Sequence, residues 1–375
     1  MQIDSDFEGG SAQILGADEN SAAISLRQDN ASFFKQWFQV RVTGAAGTPI
    51  TLRVVDAGQA TWPGGWEDGY RASASYDGER WFRVPTTYEN GELTIRHTPD
   101  SNLVAYAAFA PFPDGRYGDL LEAARRSGRA SVVEIGKSVE GRPMHVVIFG
   151  DQGRPVRRVW IIAHQHPGET MAGWFMEGAI WRLLDGGDPV TSALLDKAIV
   201  YLVPRMNPDG CARGNHRTNA AGRDLNREWA SPSPDASPEV LCVRNAIEQG
   251  GVDLFIDVHG DETIPYVFAF GSEGVPSYSQ RIASLEERFS SALERIDGDY
   301  QRAHGYDADP PGEANLRLAS SYIGERFQCL SVGLEMPFKD NANRPDGEQG
   351  WSPERSRHFG RSTLEAALAC VDALR

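Results

Sequence analysis

Four short runs of apolar and β-branched residues constrain the fold of this 375-residue chain more than any other feature. Each run is short and rich in branched side chains, as strands are, and helix-like patterns separate one run from the next. Such runs are typical of strands buried on both faces of a sheet. The runs cover residues 158–163, 199–203, 254–258 and 330–334. Their alternation with helices predicts an α/β domain with a mixed, largely parallel central sheet and helices on both faces.

The chain before about residue 112 has a different character. Apolar and polar residues alternate in residues 38–43, 50–54 and 93–96, and glycine, proline and asparagine lie between these runs. Alternating runs separated by turn residues predict an antiparallel β-sandwich-like or barrel-like domain. We therefore expect this all-β domain over residues 1–112 and the α/β domain over residues 113–375, with the change near a Pro-Phe-Pro-Asp-Gly segment.

Charge and composition exclude several classes of protein. The chain has 52 acidic and 37 basic residues, a net charge of −15, and therefore lacks the basic character of a general nucleic-acid or anionic-membrane binder. It also lacks an apolar run long enough to span a membrane, and its N-terminus does not resemble a secretory signal. The four cysteines are scattered without a C-x-x-C pair, which favours a reducing, cytoplasmic location. The oligomeric state is left open.

Metal-binding and acidic side chains follow three of the four apolar runs. His166 and Glu169 follow the first run, His259 follows the third, and Glu335 follows the fourth. Ligands of open α/β sheets bind beyond the carboxyl ends of the strands, so these four side chains are expected to converge there. Two histidines and one glutamate form a recurring catalytic zinc set that leaves a coordination position for water. Each piece alone is also common by chance.

A loop rich in glycine, asparagine and arginine lies between the second and third runs, over residues 205–229. The guanidinium group of arginine can form two hydrogen bonds with one carboxylate, so such a loop is suited to hold an anionic group over a site. The alternative is a solvated loop with surface arginines, and the sequence alone does not exclude it.

The order of these motifs resembles the zinc metallocarboxypeptidases of the carboxypeptidase A superfamily, and most closely their cytosolic carboxypeptidase-like branch. The motifs are Gly141-Arg142-Pro143-Met144, His166-Pro167-Gly168-Glu169, Asn207-Pro208-Asp209-Gly210, Gly214-Asn215-His216-Arg217, Asp224-Leu225-Asn226-Arg227, Asp257-Val258-His259-Gly260 and Leu334-Glu335. They span about residues 136–338. That branch also has a β-sandwich-like domain ahead of its peptidase domain, which agrees with the pattern of residues 1–112.

The resemblance implies one zinc ion per chain and the hydrolysis, by a zinc-activated water, of the C-terminal peptide bond, or of a side-chain-linked amino-acid bond, of a peptide or protein. The implied roles are His166, Glu169 and His259 as zinc ligands, Glu335 as general base, Arg217 as the group that polarises the scissile carbonyl, Asn226 and Arg227 as the clamp for the terminal carboxylate, and Asp224 as the acceptor that orients His166.

Several positions near these motifs have two interpretations. Arg317 either lines the pocket for the C-terminal side chain and selects an acidic residue, or lies on the surface. Tyr306 and Tyr322 are the candidates for a tyrosine that closes over the substrate. His164 neighbours the first motif without a required role. The acidic pair of residues 261–262 either supports the site or is solvated, and we expect the latter.

Two other functions remain open at this stage. A zinc amidohydrolase of small N-acyl amino acids would use the same ligands and base within a closed pocket, whereas a peptidase needs an open cleft. A non-catalytic binding module would have a degenerate site, and the complete set of ligands with Glu335 argues against it.

Overall fold

The computed structural model describes residues 1–154 and 156–374. Its first part, up to Ala107, contains ten short strands and two single 3-10 turns. The strands are β1 (Gln2–Asp4), β2 (Gln13–Ala17), β3 (Ser21–Ser25), β4 (Gln39–Thr43), β5 (Ile50–Val54), β6 (Ser73–Ser75), β7 (Phe82–Arg83), β8 (Thr86–Glu89), β9 (Glu92–His97) and β10 (Leu103–Ala107). The alternating runs of the sequence therefore become β4, β5 and β9, and the expected all-β character is confirmed.

These strands form two five-stranded sheets, in the orders β1-β4-β10-β6-β7 and β2-β3-β5-β9-β8. Apolar residues of β4, β5, β9 and β10 are buried on alternate positions, as two facing sheets require. The expectation of a purely antiparallel domain is wrong at one place, because β3 and β5 pair in parallel. Parallel neighbours need a crossover, and the chain makes it through β4 of the other sheet.

Over its described residues, the second part contains seven strands and eight helices. The strands are β11 (Ala130–Lys137), β12 (Pro143–Phe149), β13 (Arg157–Ala163), β14 (Ala198–Val203), β15 (Leu254–Asp261), β16 (Phe268–Phe270) and β17 (Leu330–Pro337). The helices are α1 (Asp114–Arg126), α2 (Met171–Leu184), α3 (Pro189–Leu195), α4 (Pro208–Arg213), α5 (Pro238–Gly250), α6 (Gln280–Ile296), α7 (Ala319–Phe327) and α8 (Pro353–Val371). None of the helices within the described ranges is long and apolar enough to cross a bilayer.

The seven strands form one sheet in the order β11-β12-β14-β13-β15-β17-β16. Its four central strands are parallel, while β11, β12 and β16 join antiparallel at the edges. The predicted mixed, largely parallel sheet is confirmed. The strands β15 and β17 continue past their apolar runs, so that His259 and Glu335 lie within them as directly paired neighbours.

Helix α2 is apolar on nearly all sides because it lies between the sheet and α8. The two helices approach closely at two glycines. A Cβ atom on Gly178 would lie 2.1 Å from the carbonyl oxygen of Arg357, and one on Gly360 would lie 2.1 Å from that of Phe175. Any larger residue at either position would push the helices apart. This packing fixes α2, which begins two residues after Glu169.

The two parts share one continuous hydrophobic core. Buried polar groups also join them: the carbonyl oxygen of Ala110 accepts hydrogen bonds from Thr170 Oγ1 at 2.8 Å and Trp174 Nε1 at 3.0 Å. Arg83 of β7 donates to the carbonyl oxygens of Phe338 and Trp351. The all-β part is therefore held firmly against the edge of the α/β part where the polar motifs lie.

A buried carboxyl group on α6 predicts a pH-dependent stability. Glu286 accepts hydrogen bonds from the Ser272 backbone and from Tyr278, and Glu273 lies close by. Burial raises the pKa of Glu286 from 4.5 to about 7, and the Glu273 charge adds to this. The pKa of Glu286 is higher in the folded state than in the unfolded state, so the folded state binds the proton more tightly. The contribution of this group to the free energy of unfolding is therefore lost as the pH rises from 4.5 through 7.

We expect the free energy of unfolding of Glu286→Gln to decrease less with rising pH, because a neutral amide does not ionise. The difference in the free energy of unfolding between variant and wild type should grow by roughly 3 kcal/mol between pH 4.5 and pH 8. Urea unfolding at several pH values measures it. The adjacent, exposed Glu287, paired with Arg302, gives the control variant Glu287→Gln, which should not reproduce this pattern. Parallel curves for wild type and Glu286→Gln would contradict the assignment.

Candidate active site

The His166-Pro167-Gly168-Glu169 motif forms a tight turn between β13 and α2. The Glu169 backbone nitrogen donates to the carbonyl oxygen of His166 at 3.2 Å, which brings both side chains to the same side of the turn. Gly168 within this turn donates to the carbonyl oxygen of His216, and a Cβ atom at Gly168 would lie 2.3 Å from the His216 ring. Glycine is therefore required for the turn to pack beneath the loop that carries Arg217.

The structure brings His166, Glu169 and His259 together, and all three are buried. Glu169 lies between the two imidazole rings: its Oε1 is 2.6 Å from Nδ1 of His166, and its Oε2 is 2.9 Å from Nδ1 of His259. One potential ligand atom from each residue lies within 4.8 Å of the others.

The opposite nitrogen of each ring is held by a carboxylate. Nε2 of His166 is 3.0 Å from Asp224 Oδ1, and Nε2 of His259 is 2.8 Å from Asp257 Oδ2. A carboxylate at Nε2 keeps the proton there and leaves the Nδ1 lone pair free for a metal. Although burial lowers the pKa of His259, the charges of Asp257 and Glu169 raise it above its ordinary value.

The motifs of the sequence do not single out Asp257, although it lies in the Asp257-Val258-His259-Gly260 motif. The strand periodicity does indicate its position. Residues two apart on a strand face the same side, so an aspartate two positions before His259 on β15 can reach the imidazole ring.

This donor set fits a catalytic zinc ion. Two imidazole nitrogens and one carboxylate oxygen are the zinc ligands of a known catalytic class, and the fourth position is left for water or substrate. Asp224 and Asp257, at the Nε2 atoms of the two histidines, match the carboxylates that usually accept a hydrogen bond from a metal-ligating histidine. Burial opposes ionisation of Glu169, but the two histidines lower its pKa well below the ordinary range and keep it anionic. The residues therefore match zinc in number and type.

Glu335 lies beside this cluster on β17, paired across the sheet with His259. Glu335 is 6% exposed, and its Oε2 atom is buried without a hydrogen-bond partner among the described residues. Burial raises the pKa of Glu335 well above its ordinary value; His259 opposes this shift, and the Glu169 charge adds to it. A buried carboxylate with an unused oxygen and a raised pKa is suited to accept a proton from a bound reactant.

Arg217 and Asp224 lie on the other side of the cluster. Arg217 Nε donates to Asp224 Oδ2 at 2.7 Å, while Asp224 Oδ1 faces His166. Burial alone would raise the pKa of Asp224, but His166 and Arg217 lower it far below its ordinary value. Asp224 therefore links the arginine to a zinc-ligand candidate and keeps both in fixed orientations.

Asn226 and Arg227 follow Asp224 in a 3-10 turn and line the same cavity. The Arg227 side chain is 38% exposed, and its Nη1 atom donates to the Asn226 carbonyl oxygen. Asn226 Oδ1 accepts from the Ala319 backbone nitrogen, and its Nδ2 lies 3.1 Å from His259. The amide of Asn226 is thus engaged by the protein, whereas Arg227 extends into the cavity.

The remaining sequence candidates separate into two groups. The Tyr306 hydroxyl lies in the cavity, 2.7 Å from Asp261 Oδ2 and 3.1 Å from Glu335 Oε1. Tyr322 instead contacts Glu248, and Arg317 donates to the Arg227 carbonyl oxygen from a shallower depression next to the cavity. The structure therefore brings Tyr306 to the site but not Tyr322, and it places Arg317 at the margin.

His164 faces away from the cluster, with Nε2 2.9 Å from the Pro167 carbonyl oxygen. The expectation that Asp261 and Glu262 are solvated is wrong, because both are buried. Asp261 accepts hydrogen bonds from the turn that follows it, and Glu262 Oε1 lies 2.6 Å from Nε2 of His216. The Asp261 contacts are local, to the residues two and three positions further along, whereas the Glu262 contact cannot be seen in the sequence because it depends on the fold of a distant loop.

The cluster opens into a cavity of about 560 Å³. Its lining includes the zinc-ligand candidates, Arg217, Arg227 and Trp62 of the all-β part. It also includes residues 269–274, residues 306–309, Ala314, Leu318 and Ser321. A cavity with both arginine and acidic side chains in its lining suits a ligand that has an anionic terminus and a side chain.

The chain belongs to the zinc carboxypeptidase family. Residues 119–356 match the family model described as zinc carboxypeptidase, and residues 3–109 match that of the cytosolic carboxypeptidase N-terminal domain. The protein is thus a metallocarboxypeptidase-type hydrolase, and the resemblance seen in the sequence is confirmed.

Three relatives illustrate this kinship. A metallo-carboxypeptidase of Pseudomonas aeruginosa, solved in complex with (2-guanidinoethylmercapto)succinic acid, is 44% identical, with a TM-score of 0.97 over 100% of both chains. An uncharacterized protein of Zymomonas mobilis is 45% identical over 100% of this chain and 97% of its own length. Human cytosolic carboxypeptidase 1 is 36% identical over 30% of this chain, which is 10% of its own length.

Proposed function

We propose that the protein is a zinc-dependent carboxypeptidase that releases the C-terminal residue of peptides or proteins, with one zinc ion per chain. The observation that carries the proposal is the convergence of His166, Glu169 and His259 beside a buried, partly unpartnered Glu335. The family's cytosolic-type N-terminal domain favours a cytoplasmic site of action.

Zinc held by these three residues would supply Lewis acidity to the scissile carbonyl and lower the pKa of a water molecule. Glu335 then takes the proton of the attacking water at its free Oε2 and returns it to the leaving amine. Its raised pKa suits both steps, because the group must be able to hold the proton between them.

Arg217 is the proposed group that stabilises the oxygen on which negative charge develops. The guanidinium is held by Asp224 at Nε and Arg217 lines the cavity, so its Nη atoms are the proposed donors to that oxygen. Arg227, with Asn226 beside it, is the proposed anchor for the terminal carboxylate. A dedicated carboxylate anchor next to the reacting centre makes an exopeptidase, since only a chain end offers that group.

The shape of the cavity favours a peptidase over an amidohydrolase of small N-acyl amino acids. The cavity extends from the catalytic residues to Trp62 of the all-β part and to the exposed segment 306–309. The remainder of a bound peptide chain can therefore extend out of the cavity without a steric clash with the residues that line it. A non-catalytic role is disfavoured because the proposed ligands, base and arginine are all in place.

Hydrolysis of matched peptides tests the proposal. A peptide with a free C-terminal carboxylate should lose its last residue, as detected by mass spectrometry, whereas the same peptide with a C-terminal amide should be cleaved at least 100-fold more slowly. Equal cleavage of both peptides, or cleavage only of small N-acyl amino acids, would contradict the carboxypeptidase assignment.

The acidic residues of the cavity lining predict a preference for cationic or neutral C-terminal residues over glutamate. Glu273, Asp307 and Asp309 line the cavity, and its only lysine or arginine residues among the described residues are Arg217 and Arg227, which have other proposed roles. An anionic side chain placed beside the three acidic residues would meet like charges, whereas a lysine or arginine side chain would be attracted. The Pseudomonas aeruginosa relative is seen with a compound that combines a guanidine group with a succinic acid.

We expect kcat/KM to be at least tenfold higher for peptides ending in lysine or arginine than for peptides ending in glutamate, which corresponds to about 1.4 kcal/mol. Glu273→Gln should reduce this ratio, and the control variant Glu313→Gln, outside the cavity lining, should not. A preference for glutamate would overturn the prediction and would favour a role for Arg317 in side-chain selection.

A further inference from the structure

The loop that carries Arg217 is held by a carboxylate of the all-β part. Asp29 Oδ1 accepts a hydrogen bond from the His216 backbone nitrogen at 2.6 Å, and Asp29 Oδ2 accepts from those of Arg217 and Thr218 at 2.7 and 2.9 Å. Asp29 is 4% exposed. One buried carboxylate thus satisfies three consecutive amides of a loop nearly 190 positions away.

Aromatic side chains of the same part pack against the arginine itself. The guanidinium carbon of Arg217 lies 5.0 Å from the Trp62 ring centroid and 5.4 Å from that of Phe34, within the range of cation–π attraction. Asn30, next to Asp29, accepts from Asn215 Nδ2 at 2.6 Å and donates to the Ala220 carbonyl oxygen at 2.7 Å. The all-β part therefore contacts both the backbone of this loop and the side chain of Arg217.

We infer that the N-terminal all-β part completes the active site, with Asp29 as the positioning residue that holds the Arg217 loop at the catalytic centre. Asp224 orients only the guanidinium, through Nε, whereas Asp29 sets where the Arg217 backbone lies. A misplacement of about 1 Å in a group that stabilises the transition state can cost 100-fold in rate. This role rests on the proposed function of Arg217.

The test uses the full chain loaded with zinc and the variants Asp29→Asn and Asp56→Asn. Asp56 provides a matched control, because its carboxylate accepts from Ser25 and Leu26 and pairs with Lys35, all within the all-β part. We expect Asp29→Asn to lower kcat about tenfold or more with KM and zinc content nearly unchanged. Asp56→Asn should leave kcat unchanged, even if it lowers the melting temperature as much.

A double-mutant cycle with Arg217→Lys separates positioning from general stability. If Asp29 acts through Arg217, Asp29→Asn should cost tenfold in the wild-type background but less than threefold in the Arg217→Lys background. Equal losses in both backgrounds, or equal kcat values for Asp29→Asn and Asp56→Asn, would overturn the inference. If Arg217→Lys alone has no effect, the proposed function of Arg217 fails instead, so the two failures are distinguishable.

Discussion

Replacement of Glu335 by glutamine should lower kcat by about 10²–10⁴-fold while the protein keeps its zinc. The amide has the same shape as the carboxyl group but cannot accept a proton from the attacking water. Glu335 is not among the three proposed ligands, and its Oε2 has no protein partner to lose among the described residues. Steady-state kinetics with a peptide substrate, together with metal analysis of the same sample, gives the result.

A second buried glutamate provides the control. Glu177 on α2 is buried and pairs with Arg116 and Arg357, outside the residues that line the cavity. Glu177→Gln is expected to change stability but not the turnover of the zinc-loaded enzyme. Turnover within tenfold of wild type in Glu335→Gln would show that another group accepts the proton.

Replacement of Arg217 by lysine should lower kcat by roughly 100-fold, with a much smaller change in KM. Removal of one donor to a developing oxyanion costs about 2.7–4 kcal/mol in other enzymes. Lysine keeps the positive charge, but it cannot bind Asp224 through Nε and present further N–H groups to the cavity as the guanidinium does. The split between kcat and KM distinguishes stabilisation of the transition state from simple substrate binding.

Arg223 offers a matched control on the same loop. It pairs with Glu228 at 2.8 Å and does not line the main cavity. Arg223→Lys should leave both kcat and KM within a factor of two of wild type. An unchanged kcat in Arg217→Lys would assign the oxyanion role to a different donor.

The architecture was predictable because local patterns determine it. The apolar runs that become β13, β14, β15 and β17 are short, strongly apolar and rich in branched side chains, and proline follows the N-cap serine of α5. The rule that ligands bind beyond the carboxyl ends of parallel strands then placed His166, Glu169, His259 and Glu335 at one edge of the sheet. The structure brings these four side chains together.

The contacts between the two parts were not predictable in this way. Asp29 and Trp62 lie in loops of the all-β part, and neither has a motif or a periodic position that marks a function. Their contacts with Arg217 depend on how two separately patterned regions pack. The same limit applies to Glu262, which looks solvated in the sequence and is buried against His216. Parallel pairing of β3 and β5 was missed because short alternating strands do not specify their neighbours.

The most direct test of the central claim is zinc content and C-terminal release measured on the same purified sample, for wild type and for His259→Ala. We predict about one zinc ion per chain and release of the terminal residue for the wild type. The variant, which retains only His166 and Glu169 of the ligand set, should lose most of both. A wild type that binds no zinc, or a variant that keeps full zinc and full activity, would contradict the assignment of this cluster as the catalytic metal site.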